Sequence, residues 1–193
     1  MLDNQAKSSD FIGAALATAK PVTEGVGAGG VYTLQCFDKD GNLKWEAKSH
    51  NLVVNVGLQD MNAKYFSGSA YTATWFIGLY GAGASNTPAA SDTASSHAGW
   101  IEIVPYSNAT RPSATFGTAT TADPSVISNS ASPASFTINA TATVGGAFLI
   151  SNSTKSGTTG TLFSASDFQA PGDRSVVSGD TLNVTYTFNL DAV

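Results

Sequence analysis

The run Thr181-Leu-Asn-Val-Thr-Tyr-Thr-Phe-Asn-Leu190 alternates apolar and small polar side chains, with Leu182, Val184, Tyr186, Phe188 and Leu190 in one register. Successive side chains of a strand point to opposite faces, so this pattern describes a long strand with one side in a core. Ser178-Gly179-Asp180 supplies the turn that leads into it. A strand of this kind needs antiparallel partners and a second layer over its apolar face. The chain offers both. Val31 to Phe37 alternates, with Tyr32, Leu34 and Cys36 on one face, and Asp38-Lys-Asp-Gly-Asn42 turns it into Leu43-Lys-Trp-Glu-Ala47 as a hairpin. Trp75-Phe-Ile-Gly-Leu79 is continuously apolar and reads as a central strand. Trp100 to Tyr106, Ala114 to Thr120, Ser125 to Asn129, Ala134 to Val144, Ala147 to Asn152 and Thr161 to Ala165 are further short strands. Val144-Gly-Gly146 and Lys155-Ser-Gly-Thr-Thr-Gly160 read as spacers between them. Short strands at intervals of about 8–12 residues indicate an antiparallel β-sandwich of immunoglobulin-like or jelly-roll type, with a dry inner and a wet outer face.

Two segments depart from that pattern. Val56, Leu58, Met61, Tyr65 and Phe66 recur at roughly helical spacing after Asn55, a suitable N-cap, and predict one short helix ending near Gly68. Residues 1–30 read as an N-terminal arm, leaving 31–193 as the sandwich domain. In the arm, Ser9-Asp10 caps a predicted helical stripe of Phe11, Ile12, Ala15, Leu16 and Ala19, which Pro21 ends. The glycine-rich run Glu24-Gly-Val-Gly-Ala-Gly-Gly30 then reads as a flexible joint. Phe11, Ile12 and Leu16 are the candidate partner-binding residues.

Composition narrows the function classes. Charged residues make up 12% of the chain, about half the ~25% usual in globular domains. Ser, Thr, Ala, Gly and Asn stand in their place, giving surfaces that desolvate cheaply against another protein. Net charge is −5 and the nine Lys and Arg residues are scattered, which argues against nucleic acid as a partner. No apolar run approaches the ~20 residues that span a bilayer, so no membrane role is expected. Phe11 to Ala19 imitates a secretory core, but Asp3 and Asp10 offset Lys7 ahead of it. The single Cys36 is read as a buried thiol.

Motifs with chemical meaning fail on context. Gly25-Val-Gly-Ala-Gly-Gly30 matches a dinucleotide fingerprint by letter, yet a strand follows where a helix N-terminus is required. Asp38 to Asn42 resembles the opening of a calcium loop without its closing glutamate. His50 and His97 have no second ligand at zinc spacing. Trp45, Trp75, Trp100, Tyr71, Tyr80 and Tyr106 would line a sugar platform if exposed together, or fill the core if not. The expectation is a chain without catalytic residues, metal or cofactor, and not an enzyme.

The order of motifs from Asn51-Leu-Val-Val-Asn-Val-Gly-Leu58 through Trp75-Phe-Ile-Gly-Leu79, Asp92-Thr-Ala-Ser-Ser-His-Ala-Gly-Trp100, Glu102, Tyr106 and Arg111-Pro112 continues with Phe136-Thr-Ile-Asn139, Val144-Gly-Gly-Ala-Phe-Leu149, Gly160-Thr-Leu-Phe-Ser164, Asp167-Phe168, Arg174-Ser-Val176 and Gly179-Asp-Thr-Leu-Asn-Val-Thr-Tyr-Thr187. It resembles a family of small structural proteins of tailed bacteriophages, over about Asn51 to Leu190. The resemblance implies a capsid decoration, or cement, protein on the virion surface, made in the host cytoplasm. Its partners would be the major capsid protein and neighbouring copies of itself, as a homodimer or homotrimer. The alternative is a tail or fibre adsorption module that binds host glycan. The same pattern suggests structural roles for Trp75, Gly78, Trp100, Arg111 and Pro112. Arg111 would be a buried or interfacial guanidinium held by carbonyls or Glu102. Gly78 would admit a ring over the sheet, with Trp100 the candidate.

Overall fold

The structure is a computed structural model and describes residues 25–71, 74–81, 87–168 and 172–192. Its elements are β1 (Val26–Phe37), β2 (Leu43–His50), β3 (Leu52–Val53), α1 (Asn55–Phe66), β4 (Phe76–Gly81), β5 (Ile101–Ile103), β6 (Ser125–Ser128), β7 (Ala134–Thr137), β8 (Ala142–Ile150), β9 (Leu162–Asp167), β10 (Arg174–Val176) and β11 (Thr181–Ala192). They form two antiparallel sheets packed as a sandwich. The first runs β2-β1-β11, with β6 and β7 end to end along the free side of β11. The second runs β3-β9-β8-β4-β5, with β10 also paired to β8.

The alternating strand β11 lies in the middle of the first sheet. Leu182, Val184 and Tyr186 are buried between the layers, while the intervening residues face outward. β1 pairs with it along its whole length, from Val26 opposite Ala192 to Phe37 opposite Thr181. This moves the boundary expected for the arm. Val26 to Gly30 is no joint but the first part of β1, in register with Phe188 to Ala192. Glycine is used here because a side chain would collide: a Cβ on Gly30 would lie 2.5 Å from the Thr187 carbonyl oxygen and 3.0 Å from the Tyr186 ring. The arm residues Phe11, Ile12 and Leu16 lie outside the described residues.

The second sheet is dry on both faces, against the expectation of one wet side. Ile77, Leu79, Val144, Ala147 and Leu149 point into the core between the layers. Tyr80, Phe148, Ile150, Leu162 and Ala165 form a separate outer core with Trp100 and Ala94. The segment that carries Asp92, Ala94 and Trp100 covers that outer face, which is why β4 is apolar without alternation. Val144-Gly-Gly146 is not a spacer but the interior of β8. A Cβ at Gly146 would sit 1.8 Å from the Ser166 carbonyl oxygen and 2.6 Å from the Tyr80 ring. Here glycine marks close packing rather than a turn. Ala114 to Thr120 forms no strand; its backbone makes isolated bonds instead, from Ala114 N to Trp75 O, Gly117 N to Ser128 O and Thr120 N to Val126 O.

A polar seam joins the two layers. The Tyr32 hydroxyl meets Ser164 Oγ at 2.8 Å, Asn51 Nδ2 donates to Tyr186 Oη at 2.8 Å, and Ser49 Oγ donates to Ser166 Oγ at 2.9 Å. The rings of Tyr32 and Tyr186 stack with centroids 4.4 Å apart. Helix α1 is set against β9 through Gly57, where a Cβ would lie 2.4 Å from the Phe163 carbonyl oxygen. Its cap differs from expectation: Val54 holds the N-cap position without a side-chain bond, and Asn55 is already helical. The reason is that Asn55 N donates to Ala90 O at 2.8 Å, which ties the helix start to the covering segment.

Candidate functional site

Helix α1 does not bury the apolar side expected of it. Tyr65 and Phe66 are 83% and 78% exposed, and Tyr71 beyond the helix is 70% exposed. Together with Val26 at the start of β1, itself 73% exposed, they rim an open groove of about 710 Å³ at one end of the sandwich. Its floor is Met61, Trp75, Phe116, Leu149, Phe163 and Phe188. Trp75 and Phe163 meet edge to face at 5.5 Å, and Phe163 meets Phe188 at 5.4 Å. One ion pair sits in the wall: Lys64 Nζ lies 3.0 Å from Asp60 Oδ1 and 5.7 Å from the ring centroids of both Tyr71 and Trp75. The groove therefore has an apolar floor, and the charges in its described lining are the mutually neutralised Asp60 and Lys64, with Asn62 a further polar side chain. It suits an apolar side chain or short peptide better than a charged ligand.

The other structural candidates meet at a different place. Gly78, Trp100 and Arg111 converge on Phe148, on the outer face of the second sheet. A Cβ on Gly78 would lie 2.1 Å from Phe148 Cζ, so the ring over Gly78 is Phe148 and not Trp100. Phe148 sits directly opposite Gly78 in the ladder, which leaves no other ring the space. Trp100 packs on Phe148 at 5.0 Å and on His97 at 3.9 Å, and Arg111 Cζ lies 5.3 Å from the Phe148 centroid. Arg111 is 2% exposed. It donates from Nε to Glu102 Oε1 at 2.8 Å and from Nη2 to Oε2 at 2.7 Å, with Asn152 and Gly157 carbonyls taking further bonds. Pro112 follows and accepts from Ile77 N at 2.9 Å, stitching the Arg111 segment to β4. Trp75 is separate from this group and belongs to the groove floor.

Several other polar residues are held by bonds within the fold. Asp38 Oδ1 accepts from the amides of Asp40 and Asn42, both at 2.9 Å, and Gly41 takes φ +84°, so this loop is a hairpin turn. Asp92 accepts from Trp100 Nε1 at 3.0 Å and from Ala89 N, and His97 Nδ1 lies 2.9 Å from the Trp100 carbonyl oxygen. Cys36 is buried beside Asp180, and burial first and that carboxylate second push its thiol up to about 12. Asp180 also takes Lys44 at 2.5 Å and the Val177 amide at 2.8 Å. The six aromatic residues considered as a sugar platform are dispersed: Tyr80 and Trp100 lie in the outer core, Tyr106 and Trp75 in the inner one with Trp45 packed partly buried against it, and Tyr71 at the groove rim. Among the described residues no three His, Cys, Asp or Glu side chains are grouped to hold a metal, and no helix is long and apolar enough to cross a membrane.

Sequence reasoning did not foresee the groove. Its walls come from α1, β1, β6, β8, β9 and β11, and the helical spacing that put Tyr65 and Phe66 on a shared apolar side gave no sign of it. Comparison with family models, with curated proteins and with solved structures finds no match for this chain.

Proposed function

We propose that this protein is a virion structural component of a tailed bacteriophage, a decoration protein that binds the assembled capsid lattice and stabilises it. The observation that carries this reading is the apolar end of the sandwich, where Val26, Tyr65, Phe66 and Tyr71 stand exposed around a groove on a chain with only 12% charged residues. Clustered exposed apolar side chains mark a surface that another macromolecule covers. The resemblance of the motif order to that of small phage structural proteins suggests the class of partner. Stabilisation follows by mass action: a protein that binds only the assembled lattice shifts the equilibrium toward it. Such binding rests on buried apolar area and matched shape, with little long-range electrostatic contribution.

The test is reconstitution on purified particles. Shells stripped of this protein should take it up from solution and resist heat or chaotrope better than bare shells, with density for it on the outer capsid surface. Density at the tail tip, with binding to a host polysaccharide, would replace this reading with the adsorption module.

A further inference from the structure

We propose that the segment Phe11–Ala19 of this chain docks into the groove as an apolar stripe, in the same protomer and before any partner is met. Three observations carry this. The described backbone enters β1 at the rim, since Val26 is itself a groove-lining residue and residues 1–24 join it through Gly25 alone. The segment ahead has the right pattern: Phe11, Ala15 and Ala19 are spaced four apart, and Ile12 and Leu16 likewise, giving the anchor spacing by which an amphipathic helix fills an apolar groove. Small alanines beside large anchors let such a helix lie close to a floor made of rings.

Reach and affinity decide which copy supplies the segment. The link from Ala19 to Val26 extends to about 23 Å at most, and a helical stripe from residue 11 to 19 is about 12 Å long. The stripe therefore reaches a groove that begins at Val26. A short tether also presents it at an effective concentration on the order of millimolar, so at micromolar protein the chain's own segment wins over a second copy's. The wall fits an apolar guest, because Lys64 is already paired with Asp60 and aimed between Tyr71 and Trp75.

The experiment uses the full chain in solution. With p-benzoylphenylalanine replacing Phe11, irradiation at micromolar protein is expected to give cross-links within one chain, mapping to Met61, Phe66 or other groove residues. A naphthalenesulfonate dye that lights up on apolar surfaces is expected to brighten several-fold on the Leu16→Asp variant relative to wild type. Leu16 precedes every described strand and belongs to the expected arm, so the variant should keep the wild-type melting transition and near-ultraviolet dichroism. Cross-links between chains would assign the groove to a second copy and overturn the proposal. Cross-links outside the groove, or equal dye signal in both proteins, would overturn it as well. The contact needs no particle, so its failure leaves the lattice-binding reading standing, and failed lattice binding leaves this contact standing.

Discussion

Single side chains in this protein act through what their removal would leave behind. Arg111→Ala would strand the buried Glu102 carboxylate, whose other partner is the Ser156 amide at 2.6 Å. Breaking a buried pair from one side costs about 3–5 kcal/mol, and the melting temperature should fall by roughly 10 °C for a domain of this size. A melting curve that coincides with wild type would remove the pair from the stability of the fold. Gly78→Ala drives a methyl into Phe148 and should destabilise by about 1–3 kcal/mol. Combining it with Phe148→Leu should cost less than the two separate losses added together, because the clash is then relieved. Asp180 gives a pH prediction. Burial pushes its carboxyl up, but the Lys44 bond, the Val177 amide and the Cys36 thiol outweigh that and hold it below the ordinary value. A carboxylate with a depressed folded pKa contributes stability above its unfolded pKa near 4, and that contribution is lost as pH falls through the folded value. Urea midpoints of wild type should therefore drop below about pH 4 more steeply than those of Asp180→Asn, and parallel profiles would refute the assignment.

At the scale of elements, the glycines of β1 and β8 separate what pattern reading can and cannot reach. Val26-Gly-Ala-Gly-Gly30 has the composition of a linker, and nothing local says otherwise. Its strand character comes from Phe188 to Ala192, more than 150 positions away, which offer the ladder, while the Thr187 carbonyl and the Tyr186 ring leave room only for glycine at position 30. Truncation tests this directly. Removal of residues 1–24 should leave a cooperative melting transition, whereas removal of residues 1–30 deletes five ladder positions opposite β11 and should give a far lower melting temperature or loss of soluble protein. Equal melting of the two truncations would put the boundary back at residue 31. The covering segment is the second such element. Trp100→Ala should cost about 3–5 kcal/mol, since it opens the outer core above Phe148 and leaves Asp92 without its indole donor.

For the whole molecule, two sheets with unequal faces explain the form of the surface. The first sheet has one apolar side and alternates; the second has two, and needs the segment around Trp100 as a third layer. That leaves the end of the sandwich near α1 uncovered among the described residues, where a partner or the arm can be received. If lattice binding rests on this apolar end, uptake onto stripped shells should change little between about 0.05 and 0.5 M salt, since only exposed charge pairs are screened over that range. A steep loss with salt would point instead to a charged contact.

Alternation, turn chemistry and low charge by themselves determined a mostly β sandwich with one helix, the β1–β2 hairpin at Asp38–Asn42 and the buried register of Leu182, Val184 and Tyr186. These are local properties, set by the two-residue repeat of a strand and the positive φ that glycine tolerates. Only the tertiary structure decided that Gly146 lies within a strand, that Phe148 rather than Trp100 lies over Gly78, that the second sheet is dry on both sides, and that Tyr65 and Phe66 stand at a groove. Each of these depends on which distant backbone passes within a few ångströms, and steric exclusion between segments far apart in the chain leaves no periodic trace in either of them.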